Sequence, residues 1–314
     1  MEYTMEYTRL DLSHKALLEP FTKQTGRWLS DTNFTNMFMW RHSREISFCI
    51  FDNQLIIQTQ YPTQTPFVFY PLGQGDKQGD KKPIITALIE HYASLGVALE
   101  FHSLQKDEVE SLQRDFPNRF EFTQRRDRFE YIYNTQELIE LSGRKFHKKK
   151  NHLNRFYLQY PNVCFESLGA ENIEEVLRIN NQWFKASMEA KQGDSKQGEN
   201  DKGLYYENLG INDALANFET LGLSGGLLRN EGEIIAFSFG EMLDSKMALI
   251  HIEKANIAFS GAYQAINQAL LKHKFANSLY ANREEDLGIE GLRKAKLSYQ
   301  PSFLLEKYDA RLRD

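Results

Sequence analysis

A dense run of charge near the end of the chain supplies the first candidates for acid–base chemistry. The run Arg283–Asp286 contains the carboxylates Glu285 and Asp286, and it follows a short apolar segment at 279–282 that is typical of a strand. A helical apolar pattern comes next and ends at Pro301. Ligands of α/β sheets bind where strands hand over to helices, so these carboxylates could act as general acids or bases. A solvated charged loop, with Asp286 as a helix cap, explains the same residues.

A second set of candidates lies on the strand predicted for 246–253. Alternation places His251 and Glu253 on one face at its carboxyl end, where an acid or base could reach a substrate. Lys254 and Arg293 could supply positive charge to a developing oxyanion. A lone strand histidine can equally be a hydrogen-bonded core residue, so both interpretations of His251 stay open.

The segment 144–155 is strongly basic, although the chain as a whole carries a formal net charge of -5. Its pattern fits a helix with a ragged apolar edge, which leaves most of the surface to cations. One interpretation is a solvated helix between two domains. The other is a patch that contacts phosphates of nucleic acid or of anionic headgroups. The cations of this patch are Arg144, Lys145, Lys148, Lys149 and Lys150.

Three segments together resemble a known family. They are Leu141-Ser-Gly-Arg-Lys-Phe-His-Lys-Lys-Lys-Asn151, then His251-Ile-Glu-Lys-Ala255 with Gly261-Ala-Tyr-Gln-Ala-Ile-Asn267, and finally Arg283-Glu-Glu-Asp-Leu-Gly with Gly291-Leu-Arg-Lys-Ala-Lys-Leu-Ser-Tyr-Gln-Pro301. In order and approximate spacing they resemble the phosphatidylglycerol lysyltransferase C-terminal domain family, from roughly Trp40 to Tyr308. The resemblance implies two tandem acetyltransferase-type (GNAT) domains, similar to the Fem peptidyltransferases.

The resemblance also implies an activity, since the best understood relatives pass an aminoacyl group from a charged tRNA to a lipid. The expected reaction is transfer from an activated ester to an amine or hydroxyl. No segment of this sequence resembles the membrane-spanning half of those relatives, and the expected acceptor is therefore a small molecule, a peptide or a lipid. The residues expected to bind donor or substrate are Lys254, Gly261, Tyr263, Asn282, Arg283, Arg293 and Lys296. The basic segment would contact tRNA or anionic phospholipid.

The donor is the point on which the alternatives differ. Gly261 begins a predicted helix whose free N–H groups could bind a donor phosphate. Coenzyme A binders of the acetyltransferase type use an Arg/Gln-x-x-Gly-x-Gly/Ala pattern, whereas 256–262 offers Gly261 alone. This favours aminoacyl-tRNA over acyl-coenzyme A. The alternatives are a coenzyme A-dependent N-acyltransferase and a non-catalytic module that binds nucleic acid or anionic membrane.

The element pattern predicts an α/β fold with two mixed sheets. The expected division is an N-terminal GNAT-like domain at 1–138, a basic linker helix at 139–160 and a catalytic GNAT-like domain at 161–314. Two hairpin turns are predicted, at Asp52-Asn53-Gln54 and at Asn230-Glu231-Gly232. A helix over 32–41 would be capped by Asp31 or Thr32, 303–308 would form one strand, and the polar stretch 189–203 would be a mobile insertion.

Composition sets the remaining expectations. An excess of acidic residues argues against a protein that binds nucleic acid over its whole surface. Cys49 and Cys164 are isolated, which predicts neither a metal site nor a disulfide. There is no run of about 18 apolar residues, and the acidic start is unlike a signal peptide. We therefore expect a cytoplasmic protein, with peripheral contact to the membrane through the basic segment as an option.

Overall fold

The computed structural model describes residues 5–23, 27–73, 80–191 and 199–313. The chain forms two compact units, and each is assembled from separate stretches of sequence. The first unit comprises Met1–Glu130, Glu285–Arg293 and Leu304–Asp314, and the second comprises Tyr131–Glu284 and Lys294–Phe303. The sequence instead predicted three consecutive segments, divided at residues 138 and 160. That division stays a prediction.

The first unit is built on a mixed sheet. Its elements are β1 (Thr8–Arg9), α1 (Lys15–Thr22), α2 (Phe34–Trp40), β2 (Glu45–Phe51), β3 (Gln54–Gln60), β4 (Phe67–Val68), β5 (Leu72–Gly73), α3 (Lys82–Ser94), β6 (Glu100–Leu104), α4 (Lys106–Asp115), β7 (Phe120–Gln124) and β15 (Tyr308–Leu312). The strand order is β1-β2-β3-β4-β6-β15-β7, and β5 pairs with β3. β4 and β6 are parallel, whereas β15 is antiparallel to both of its neighbours.

The second sheet has the order β14-β8-β13-β12-β11-β10-β9. Its strands and the helices around them are β8 (Glu130–Asn134), α5 (Thr135–Glu140), α6 (His147–Gln159), β9 (Cys164–Ser167), α7 (Ile173–Lys191), α8 (Glu199–Ala216), α9 (Phe218–Leu221), β10 (Ser224–Asn230), β11 (Glu233–Met242), β12 (Met247–Ala255), α10 (Ala262–Lys274), β13 (Tyr280–Asn282), α11 (Glu290–Leu297) and β14 (Phe303–Leu305). β12 and β13 are parallel, and β11 is antiparallel to β12. Both sheets are mixed, which confirms the predicted fold class.

Both predicted hairpins form, and their turns explain why. Asp52 and Asn53 between β2 and β3 have φ of 49° and 54°, and Glu231 and Gly232 between β10 and β11 have φ of 49° and 87°. Two residues with positive φ make the tight turn whose twist matches that of the flanking strands. Asn and Gly tolerate this conformation well, which is why the turns could be read from sequence.

Each unit has its own apolar core. In the first unit, Leu88 and Tyr92 of α3 are fully buried in one cluster with Phe101 of β6 and Leu112 of α4. In the second unit, α10 packs against β10, β11 and β12. On α7, Trp183 stacks on Phe237 of β11 with ring centroids 5.9 Å apart. These cores fix the strands whose ends carry the charged residues described below.

Three local expectations differ from the structure. The cap of α2 is Asn33, whose side chain accepts a hydrogen bond from the Asn36 N–H, and not Asp31 or Thr32. The segment 303–308 is not one strand, because β14 ends at Leu305 and β15 begins at Tyr308 in the other sheet. The ends of the stretch 189–203 are helical, since α7 runs to Lys191 and α8 begins at Glu199, while 192–198 lie outside the described residues.

None of the helices in the described parts of the chain combines the length and the apolar character that crossing a bilayer requires.

Candidate active site

The candidate site in the second unit lies where two parallel strands separate. β12 and β13 pair over three positions only, from Met247 with Tyr280 to Leu249 with Asn282. β13 then ends, while β12 continues to Ala255. The carboxyl ends of parallel strands form the crevice in which α/β sheets bind ligands. Side chains from the two separating segments therefore meet in a position suited to a site.

A β-bulge in β12 places one of these side chains. Phe239 of β11 pairs with Ile252, but its neighbour Gly240 pairs with Ile250, so His251 is the extra residue of the bulge. A Cβ atom at position 240 would lie 2.1 Å from the carbonyl oxygen of Leu249, so the strands can approach this closely only with glycine there. Bulges re-aim side chains and are frequent beside active sites.

His251 is fully enclosed between two carboxylates. Its Nε2 lies 3.2 Å from Glu241 Oε1, its Nδ1 lies 3.3 Å from Glu284 Oε1, and 1% of its side chain is exposed. Burial by itself would lower the pKa of His251, but the hydrogen bonds and charges of Glu241 and Glu284 raise it to about 9. His251 is therefore an imidazolium at neutral pH, with both ring nitrogens donating. That state is unsuited to a general base.

Glu253 has different partners. It accepts hydrogen bonds of 2.5 Å from Arg283 Nη2 and from Asn267 Nδ2 of α10. His251 and Glu253 do not hydrogen-bond to each other, although the sequence suggested that they would act as a pair. Burial would lower the pKa of Arg283, but the negative charge of Glu253 raises it. The two residues form a mostly buried ion pair, with side-chain exposures of 12% and 16%.

Two aromatic rings lie beside the Arg283 guanidinium. Its central carbon lies 4.9 Å from the Tyr299 ring centroid and 5.7 Å from that of Tyr133. Its Nε and Nη1 are buried and have no hydrogen-bond partner in the described part of the chain. Lys296 Nζ donates to the Arg283 carbonyl oxygen at 2.6 Å. Cation–π contacts help to hold the guanidinium in place, and the N–H groups of Nε and Nη1 remain available to donate hydrogen bonds.

The cations of the basic segment differ in how deeply they are buried. Arg144, Lys148 and Lys150 are exposed, and Lys145 pairs with Glu137 at 2.6 Å. Lys149 is half-buried instead, and its Nζ lies 4.0 Å from the centroid of the Tyr299 ring. Burial and the charge of Arg283 lower the pKa of Lys149 to about 8. Lys149 and Arg283 therefore both contact Tyr299. The sequence pattern did not distinguish Lys149 from the other cations of the patch.

In the first unit, Glu285 belongs to a buried ion cluster. Lys307 Nζ lies 2.6 Å from Glu285 Oε1 and 2.6 Å from Glu130 Oε1, and it also pairs with Asp31. Arg128 Nη1 donates to Glu285 Oε2 at 2.9 Å. Burial raises the pKa of Glu285, and the nearby Asp31 and Glu130 charges add to this against the opposing cations. Oxygens of the three carboxylates lie within 4.8 Å of one another, as in a metal site, but here the Lys307 ammonium pairs with all three.

Asp286 stabilises a turn in the first unit. Its Oδ1 accepts from the Gly288 N–H at 2.8 Å. Arg293 donates to both of its oxygens, at 2.8 and 2.9 Å, and Arg126 adds a contact at 3.2 Å. The carboxylate is fully buried, and Arg293 is its partner. These contacts fit the structural interpretation of Asp286, while the catalytic interpretation stays a prediction.

The other predicted binding residues lie in the second unit. Lys254 pairs with Glu207 of α8 at 2.5 Å, and Tyr263 is exposed on α10. Asn282 is buried and accepts from the Glu284 N–H at 2.8 Å. Gly261 has φ of +96°, and a Cβ atom there would lie 3.0 Å from Phe156 Cβ. Gly261 is thus explained by the tight start of α10 against α6.

Two residues of this site were missed from the sequence. Glu241 is a charge within the apolar run of β11, and that isolated position was the available signal. Glu284 stood inside the acidic run, yet only its two successors were singled out. Its φ of +55° and its contact with His251 separate it from them.

Comparison with known proteins decides the family. The model of the family described as "phosphatidylglycerol lysyltransferase, C-terminal" matches residues 22–311. The chain belongs to this family. A solved structure of a conserved protein of unknown function from Bacteroides thetaiotaomicron is 34% identical, with 99% of this chain and 100% of that chain covered and a TM-score of 0.88.

Two further proteins are similar at lower identity. The C-terminal domain of a proposed lysylphosphatidylglycerol synthetase from Agrobacterium fabrum is 14% identical, with 96% of this chain and 92% of that chain covered and a TM-score of 0.63. An uncharacterized protein of Mycoplasmoides gallisepticum is 23% identical over 264 residues, which are 81% of this chain and 77% of the relative. The mixed α/β fold that was expected is confirmed, and the family indicates a transferase.

Proposed function

We propose that the chain transfers an aminoacyl group from an activated ester, with aminoacyl-tRNA as the donor, to an amine or hydroxyl acceptor. The observation that carries the proposal is the Glu253–Arg283 ion pair, buried where β12 and β13 separate. Family membership supports the reaction class. The acceptor chemistry is left as amine or hydroxyl because both need the same help from the site.

Such a transfer makes two demands on a site. The attacking amine or hydroxyl must lose a proton as it bonds to the ester carbonyl carbon, and the ester C–O bond must break with a proton going to the leaving oxygen. Glu253 is the candidate acceptor of the first proton, because Arg283 and Asn267 hold its carboxylate in place. Positive charge near the carbonyl oxygen would stabilise the oxyanion that develops there.

Two cations are candidates for that stabilising role. Arg283 retains two buried N–H groups without partners among the described residues, and Lys149 lies over the same Tyr299 ring. The pKa of Lys149, lowered to about 8 by burial and by Arg283, is close to neutral. An ammonium with such a pKa could also give a proton to the leaving oxygen.

The exposed cations of α6 and of the turn before it support the proposal of an anionic partner. Arg144, Lys148 and Lys150 form no ion pair with described residues. We propose that they contact phosphates of the tRNA, or of an anionic phospholipid if the acceptor is a lipid. A donor of this kind would place the protein in the cytoplasm, with peripheral contact to the membrane in the lipid case.

Thermal shift with three ligand classes separates the proposal from its alternatives. A true ligand stabilises the folded chain by mass action, so charged tRNA should raise the midpoint of unfolding. Stabilisation by acyl-coenzyme A alone would instead favour the N-acyltransferase. Stabilisation by uncharged tRNA or anionic vesicles, with no aminoacyl transfer, would favour a binding module.

A further inference from the structure

The first unit contains a cavity that neither the sequence nor the family accounts for. Its volume is about 260 Å³, and its walls include Arg44, Tyr61, Phe67, His102 and Arg125. Three arginines and three aspartates line it, so its character depends on which of these charges are already paired.

Most of the lining charges have partners. Arg125 contacts Asp309 at 2.5 Å and Asp127 at 3.2 Å. Asp31 pairs with the buried Lys307, and Arg128 pairs with Glu285. Each of the three aspartates and two of the three arginines therefore has an oppositely charged partner, although Asp127 and Asp309 share Arg125.

Arg44 is the lining charge that is left over. Its Nη1 donates to Tyr61 Oη at 2.7 Å, and its Nε is buried without a hydrogen-bond partner. No carboxylate among the described residues forms an ion pair with it, although its charge helps to lower the pKa of Asp31 after the larger effect of Lys307. A guanidinium presents rigid N–H pairs that match the oxygens of carboxylates and phosphates, so an anion is the ligand that suits Arg44 best.

The wall beside Arg44 is aromatic and neutral. Phe67 stacks on His102 with centroids 3.8 Å apart and rings 9° from parallel, and Tyr61 stacks on Phe67 at 6.3 Å. Burial lowers the pKa of His102 despite the nearby Asp309 and Glu100, so its ring is uncharged at neutral pH. A planar or apolar group of a ligand would gain contact area on this wall.

A second, more open pocket shares Arg44 and Tyr61. It has a volume of about 290 Å³, and it adds Arg9, Arg41 and His42 with Glu45 as the carboxylate of its lining. Arg9 and Arg41 would thus be further cations near an anion bound to Arg44. A tetrahedral phosphate can present oxygens to donors on both sides, whereas a carboxylate offers two oxygens in one plane.

We infer that these two pockets form one binding site for a phosphate ester, with the phosphate on Arg44 and the organic group against Tyr61, Phe67 and His102. The inference goes beyond the proposed transfer reaction and does not depend on it, because it concerns binding within the first unit. Phosphate esters of a nucleoside and of glycerol share this chemistry. The aromatic wall favours the nucleoside.

Calorimetric titration of the full chain with three probes tests the site. The probes are inorganic phosphate, sn-glycerol 3-phosphate and AMP, each at low ionic strength. All three should bind, and AMP should bind most tightly because its base can stack. Arg44→Ala should weaken AMP at least about tenfold, and Arg44→Lys should weaken it as well, because an ammonium lacks the paired donors. Arg114→Ala, an exposed arginine of α4, is the matched control and should bind as the parent does.

Two results would overturn the inference. One is failure of the parent protein to bind any of the three probes at millimolar concentration. The other is binding of AMP by both Arg44 variants as tightly as by the parent protein. Circular dichroism would check that the variants fold, and Arg44→Lys carries the test if the alanine variant does not. Glycerol phosphate binding as tightly as AMP would assign the site to a glycerol headgroup, which keeps the phosphate ester and rejects the stacked base.

Discussion

Arg283 Nη2 donates to Glu253 Oε2 at 2.5 Å, from the residue that follows β13 to a residue near the end of β12. The two strands have stopped hydrogen-bonding to each other at this level, so side-chain contacts join the two segments there, namely this ion pair and the His251–Glu284 contact. A buried pair of this kind is a weak source of net stability, because both charges lose their water. Its position at the strand ends fits a role in binding or transfer better than a purely structural one.

The first prediction concerns His251 and pH. The folded pKa of about 9 lies above the ordinary value of 6.5, so the favourable interaction is complete below pH 6.5 and is lost as pH rises through 9. The shift corresponds to about 3 kcal/mol. Unfolding in denaturant between pH 6 and pH 10 should show this loss for the parent and a flatter profile for His251→Gln. Parallel profiles for the two proteins would mean that His251 is not charged in the folded state.

The second prediction concerns the ion cluster around Lys307. Lys307→Met would leave Asp31, Glu130 and Glu285 buried together without the ammonium that pairs with all three, although Arg128 would still contact Glu285. Removing one partner of a buried ionic network typically costs about 3–5 kcal/mol of unfolding free energy. Denaturant titration should show a loss of that size. Lys82→Met, at an exposed position of α3, should stay within about 0.5 kcal/mol of the parent. A small loss for Lys307→Met would mean that the carboxylates share protons instead.

The third prediction separates the roles of Glu285 and Asp286. Asp286→Asn keeps an oxygen for the Gly288 N–H but removes the charge facing Arg293 and Arg126. We expect a loss of about 1–2 kcal/mol in stability, with turnover of the folded protein little changed. Glu285→Gln should fold and lose turnover by roughly 10²-fold if Glu285 is catalytic, as the sequence suggests. The opposite pattern, turnover lost in Asp286→Asn and kept in Glu285→Gln, would exchange the two roles.

The fourth prediction concerns the basic segment. Each phosphate contact releases counterions, so affinity for tRNA or anionic vesicles should fall steeply as salt increases. Changing Arg144, Lys148 and Lys150 together to Ala should flatten that dependence. Lys149→Ala alone should leave the salt slope nearly unchanged and lower turnover, because Lys149 lies against Tyr299. If the triple variant binds with the parent's slope, these cations are a solvated surface.

The sequence predicted the parts of the fold that depend on local rules. Asp52 and Asn53 predicted a hairpin, because few residue types tolerate a positive φ. Gly261 predicted the start of α10 for the same reason. The expectation of an acetyltransferase-type fold came from motif resemblance instead. Pattern reading cannot see long-range strand pairing, which is why β15 was expected in the second domain but lies between β6 and β7.

The same limit explains which site residues were found. His251, Glu253 and Arg283 lie in the motifs that resemble the family, so the sequence identified them as candidates. Asp31 and Lys307 are 276 residues apart, and no local pattern links them. The partners of a charged side chain are set by tertiary packing. The sequence could therefore name His251 but not its bonds to Glu241 and Glu284.

The most direct test of the account is a single-turnover transfer assay. The full chain is mixed with tRNA charged with a labelled amino acid and with a panel of amine, hydroxyl and lipid acceptors. We expect label to move to an acceptor with the parent protein, and the rate to fall roughly 10²-fold or more in Glu253→Gln and in Arg283→Lys. Glu219→Gln, an exposed change in the same unit, should react as the parent does. Transfer at the parent's rate by folded Glu253→Gln and Arg283→Lys would contradict the account, as would transfer from acyl-coenzyme A but from no charged tRNA.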